Sequence, residues 1–90
     1  MSFDPQRRYA LSPTVALRPE RFGALAYDYG NRRLTFLKAT SLVTLVRSLA
    51  DHPSAAAAID ACAEPARRPA LERALNSLAA SGVVVPVESA

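Results

Sequence analysis

Ninety residues, half of them apolar and 21% charged, are enough for one contiguous core and too few for two domains. The net charge of +3 is uneven, with seven Lys/Arg against three Asp/Glu in residues 1–38 and four against five in residues 39–90. The single cysteine, Cys62, excludes an internal disulfide and cannot build a thiolate metal site alone, and no run of about 18 apolar residues is present to span a bilayer.

Residues 1–13 mix charge, proline and polar side chains without periodicity. They read as a flexible N-terminal arm with a docking point at Tyr9 and Leu11. The arm lacks the apolar segment of a secretory signal, so the chain is expected in the cytoplasm. A single domain is expected over 14–87, with 88–90 as a tail. Alternation over Thr14–Arg18, with Val15 and Leu17 on one face, predicts a first strand that Pro19-Glu20 ends as a turn. Phe22–Asp28 is a second strand, and Tyr29-Gly30-Asn31-Arg32 supplies residues that tolerate a tight turn. Arg33–Leu37 returns as the third strand, with Leu34 and Phe36 assigned to the core or a groove wall. Arg33, Thr35 and Leu37 are assigned to the opposite face.

The period changes at Thr40, the expected N-cap of a helix carrying Leu42, Leu45, Val46 and Leu49 as its apolar stripe. Asp51-His52-Pro53 breaks it. Ser54 caps a second helix with Ala56, Ile59 and Cys62 near one face, which ends at Glu64-Pro65. Pro69 suits the first turn of a third helix bearing Leu71, Ala74, Leu75 and Leu78, with Gly82 at C′. Val83-Val84-Val85 is a short strand or an extended segment that closes the core. Three strands followed by three helices define an α+β, winged-helix-like domain.

Acid–base catalysis needs two positioned groups, and the lone His52 beside Pro53 reads as a helix-terminating residue. Cys62, one turn from Ile59, reads as a small core hydrophobe. One His and one Cys do not make a zinc site, and glycines 23, 30 and 82 form no phosphate loop. No catalytic residue, metal site or cofactor is therefore expected. Two kinds of binding remain. A nucleic-acid reading would use the third helix, with Arg67, Arg68, Arg73 and Asn76, but Glu72 sits within it and the helical half is slightly acidic. A protein-binding reading would use the edge of the third strand, which can accept an extended peptide as a further strand or stand as an ordinary edge guarded by Arg33 and Lys38. The basic strand half would steer acidic partners.

Ala16-Leu17-Arg18-Pro19-Glu20-Arg21-Phe22-Gly23-Ala24-Leu25, then Tyr27, Tyr29-Gly30-Asn31-Arg32, Leu34-Thr35-Phe36-Leu37-Lys38 and Val46-Arg47-Ser48-Leu49-Ala50-Asp51-His52-Pro53 resemble the peptide chaperone family of mycofactocin biosynthesis. The resemblance runs from Ala10 to Pro86. It implies a fold related to the small chaperone of pyrroloquinoline quinone synthesis and to the RiPP recognition elements, winged-helix domains of order βββααα. It also implies that the chain binds the ribosomally made mycofactocin precursor peptide and delivers it to a radical SAM maturase, which modifies the Val-Tyr end of the peptide. The iron–sulfur clusters and S-adenosylmethionine would belong to that partner. In such domains the leader peptide pairs with the third strand and packs on the third helix. The implied site here is Arg33, Leu34, Thr35, Phe36, Leu37 and Lys38 together with Arg68, Leu71, Glu72, Leu75, Asn76 and Ala79. Arg67, Arg68 and Arg73 would meet acidic leader residues. An open edge can also pair with a second copy, giving a homodimer.

Overall fold

A computed structural model describes residues 3–87. The chain runs β1 (Tyr9–Leu11), β2 (Val15–Glu20), β3 (Gly23–Asp28), β4 (Arg33–Leu37), α1 (Thr40–Ser48), α2 (Ala55–Cys62), α3 (Arg68–Ala80) and β5 (Val84–Pro86), with 3₁₀ turns at Leu49–Asp51 and Pro65–Arg67. The expected three-stranded antiparallel sheet followed by three helices is present as β2-β3-β4 and α1 to α3. A second, two-stranded sheet joins β1 to β5.

Two tight connections build the meander. Arg21 and Phe22 link β2 to β3, whose first pair is Glu20 with Gly23. Gly23 has φ +144, and a Cβ there would stand 2.0 Å from the Leu37 carbonyl oxygen, so only glycine lets β3 begin this close to the end of β4. Between β3 and β4 two side chains fold back on the backbone: the Asp28 carboxylate accepts from the Gly30 N–H at 2.9 Å and the Asn31 side-chain oxygen accepts from the Arg33 N–H at 2.9 Å. Such Asx contacts fix a turn locally. Arg32 takes the left-handed conformation, φ +62. Pro19 does not end the first strand of the meander, as expected from sequence, but pairs with Ala24 inside it. On an edge strand the N–H it lacks can face outward.

The inner face of the sheet carries Val15, Ala24, Ala26 and Leu37, all buried. Ala24 and Ala26 are small enough for α1 to pack on β3, and α1 delivers Leu45 and Val46 to the same core, followed by Leu49 from the 3₁₀ turn. α3 contributes Leu71, Leu75 and Leu78, the i, i+4, i+7 stripe read from its spacing. α2 buries Ala55, Ala58 and Ile59 rather than a face through Ala56. Cys62 packs against the core as a partly buried side chain.

Helix ends follow the sequence in part. Ala39, not Thr40, precedes α1, and no side chain caps it. Ser54 does cap α2, accepting from the Ala57 N–H at 3.1 Å. Replacing it by alanine should cost about 1 kcal/mol, measurable as a lower urea midpoint with an unchanged slope. Gly82, at φ +82, closes α3 by donating to the Ala79 carbonyl while Val83 donates to that of Leu78; this double bond is the Schellman arrangement.

The boundary of the N-terminal arm needs correction. Tyr9–Leu11 is a strand paired with Val84–Pro86, and Tyr9 is buried with its ring 5.0 Å from that of Phe3. The segment before it also holds helix ends. The carbonyls of Arg7 and Pro5 accept from the first two N–H groups of α2, Ala55 and Ala56, each at 2.8 Å. The Arg8 guanidinium donates twice to the Ala50 carbonyl, at 2.7 and 3.0 Å, past the end of α1. Non-periodic sequence here reflects a strap whose bonds are made by backbone and one arginine, and neither leaves an apolar period. The expected tail at 88–90, like residues 1 and 2, lies outside the described residues.

Candidate functional site

The exposed face of the three-stranded sheet is unlike the usual polar face of such a layer. β3 alternates Ala24 in, Leu25 out, Ala26 in, Tyr27 out, Asp28 in, and β4 answers with Leu34 and Phe36 out against Leu37 in. Leu34 and Phe36 are 57% and 58% exposed whereas Leu37 is 0%, which corrects the core place offered for Leu34 and Phe36 and leaves the groove wall, the other place read from sequence. Both parities of Arg33–Leu37 include leucine, so alternation alone could not say which faced the core. Register lines up Ala16, Tyr27 and Leu34 in one row and Arg18, Leu25 and Phe36 in the next. Phe22 folds back from its turn to meet Phe36 edge to face at 5.7 Å, and the two line a hollow with Lys38.

β4 is also an edge. It pairs with β3 on one side only, while β5 pairs with β1 in a separate sheet. Among the described strands nothing occupies its outer side.

The α3 residues named from sequence lie elsewhere. α3 packs on α2 and β5, while α1 is the helix packed on β4. Leu71 and Leu75 are core residues. Arg68 reaches Asp60 of α2 at 2.9 Å. Glu72 and Asn76 line a hollow with Phe3, Pro5, Pro69 and Arg73, and Ala79 lines another with Tyr9 and Val84. Of the twelve residues, Leu37, Leu71 and Leu75 are core, and the others divide between the β4 edge and the flank of α3, which do not line one hollow. With Glu72 on it and Asp60 against Arg68, α3 presents no unbroken basic face. The Phe3 and Pro5 side of that flank had no signal in the sequence.

His52 and Cys62 take structural positions. The His52 N–H donates to the Leu49 carbonyl at the end of the 3₁₀ turn, and the Cys62 sulfur lies 3.5 Å from the Ser48 hydroxyl. Among the described residues, no three His, Cys, Asp or Glu side chains gather as metal ligands, and no helix is long and apolar enough to cross a membrane.

A small α+β domain with a free strand edge and an apolar face ringed by arginine has the build of a module that holds another polypeptide. Residues 8–85 match the peptide chaperone MftB family, and the chain belongs to that family. It is 44% identical over 89 residues to the peptide chaperone MftB of Mycobacterium ulcerans (strain Agy99), covering 98% of this chain and 82% of that one. The Mycolicibacterium smegmatis (strain ATCC 700084 / mc(2)155) protein of the same name is 46% identical over 88 residues, covering 96% and 85%. The Mycobacterium tuberculosis (strain ATCC 25618 / H37Rv) protein is 44% identical over 89 residues, covering 93% and 78%. No solved structure matches the chain.

Proposed function

We propose that this chain is a peptide chaperone without catalytic activity that binds the ribosomally made mycofactocin precursor peptide along the outer side of β4 and hands it to a radical SAM maturase. The observation that carries the reading is the side of Arg33–Leu37 turned away from β3, with which no described strand pairs. An added strand would take its affinity from the backbone ladder and its selectivity from alternate side chains. Leu34 and Phe36 would meet side chains of the guest on the outer face, Thr35 would meet those on the inner face, and Arg33 and Lys38 would hold its ends. Leu37, Leu71 and Leu75 would act from the core by fixing β4 and α3. Arg68, Glu72, Asn76 and Ala79 would receive the part of the peptide that runs past the edge. Holding the peptide on a carrier that also binds the maturase raises its effective concentration at the enzyme. The clusters and S-adenosylmethionine stay with the maturase, and the chaperone works in the cytoplasm.

Proline tests the edge. In an antiparallel strand, alternate residues turn their N–H groups toward the neighbour and away from it. Single prolines at Leu34, Thr35 and Phe36 should therefore separate into two kinds. Where the N–H faces β3 the sheet should be destabilised. Where it faces outward, the circular dichroism spectrum should survive while calorimetric affinity for the precursor peptide falls about tenfold or more, from a lost hydrogen bond and ring clash. Unchanged affinity in every folded variant would remove the edge from the reading.

A further inference from the structure

The outer sheet face is larger than an added strand at β4 requires. Such a strand would lie beside β4, in the plane of the sheet, and leave the surface over β3 and β2 uncovered. That surface holds Tyr27 at 38% exposure and Phe22 at 43% beside Leu34 and Phe36. A contiguous exposed cluster of this kind marks an interaction site rather than the scattered apolar residues of an ordinary surface. Its charge is one-sided. Arg18 stands in the row of Leu25 and Phe36 with its side chain 80% exposed, Lys38 borders the Phe22–Phe36 hollow, and Arg21 and Arg32 are exposed at the two hairpin ends. Against these stands Glu20, 3.7 Å from Arg18. Asp28 points inward, where Thr14 and Gly30 donate to it.

We infer that this face is a second docking surface, separate from the peptide edge, for a protein presenting apolar side chains ringed by carboxylates. On the reading above, on which this inference rests, that protein is the radical SAM maturase. Charge selects the occupant. A second copy of the chain would bring the same arginines and lysine against one another, and like charges facing across an interface disfavour it. An acidic rim on the partner would neutralise them and speed encounter, while Tyr27, Leu25 and Phe22 supply the desolvated centre where aromatic anchors carry most of the affinity. The peptide would then lie on the margin of the surface that meets the enzyme, held between carrier and maturase.

The test uses variants on the β2 and β3 side, away from the β4 edge: Arg18→Glu with Arg21→Glu, which leaves every apolar residue in place, and Tyr27→Ser. Each is titrated with purified maturase and, separately, with precursor peptide, and folding is checked by amide spectra. The expected result is a loss of about tenfold or more in affinity for the maturase, a weaker salt dependence for the charge-reversed variant, and peptide affinity within about twofold of the parent chain. Maturase affinity unchanged in both variants overturns the inference while leaving the carrier reading intact. A parallel loss of peptide affinity also overturns it, because the face would then be the peptide site. Sedimentation showing a dimer that these substitutions dissociate overturns it in favour of self-association. If the parent chain forms no complex with the maturase, with or without peptide, the carrier reading fails and this inference fails with it.

Discussion

Gly23→Ala should cost the domain about 3 kcal/mol or more, the combined scale of a strained backbone and an overpacked contact. The new methyl would have to displace the Leu37 carbonyl, 2.0 Å away, at a φ of +144 that alanine avoids. No flexible side chain is available to give way, since the obstructing atom is backbone at the end of β4. The movement would pass into the β3–β4 ladder and loosen the edge. Gly82→Ala is the control: its φ is +82, but nothing lies within 4 Å of the added atom, so it should cost only about 1 kcal/mol. Urea unfolding of the two variants should separate them clearly, and equal losses would mean that the close approach of Gly23 to Leu37 does not exist in solution.

Leu37→Ala and Phe36→Ala should behave oppositely although the residues are neighbours. Leu37 is fully buried among the core side chains, and truncating such a leucine typically costs about 2–5 kcal/mol. Phe36 is mostly exposed and loses chiefly its edge-to-face contact with Phe22, worth about 0.5–1.5 kcal/mol. Thermal unfolding should rank them in that order, whereas peptide titration should rank the folded variants in reverse, with Phe36→Ala the more damaging to binding. A core role for Phe36 would show as the opposite stability ranking and would mean that β4 is turned over.

The order of elements was legible because each carried its own signal. Period two over β2 to β4, period near 3.6 over α1 and α3, Ser54 before α2, Pro69 in the first turn of α3 and Gly82 after it are local features, and local features fix element type. What escaped depended on distant parts of the chain. Pairing of Tyr9–Leu11 with Val84–Pro86 involves two short segments at opposite ends, neither long enough to show alternation. The core place offered for Leu34 and Phe36 failed for a different reason. Hydrophobicity normally separates the faces of a strand, and here the solvent face is itself apolar. Sequence rules assume a polar outer surface, so they go wrong where a surface is built for contact. The same holds for the flank of α3: the stripe of Leu71, Leu75 and Leu78 was readable, but the hollow that Phe3 and Pro5 form with Glu72 and Asn76 came from tertiary placement alone.

The union of β1 with β5 also bears on how the domain is made. Tyr9–Leu11 has its hydrogen-bonding partner at Val84–Pro86, beyond all three helices, and the backbone that steadies the start of α2 lies just before Tyr9. Until Val84–Pro86 is in place Tyr9–Leu11 has no ladder to join, so closure must wait for the elements between them. Contacts of such high sequence separation slow folding. They also tie the two strands to a single event, so the core stays incompletely sealed until both are in place.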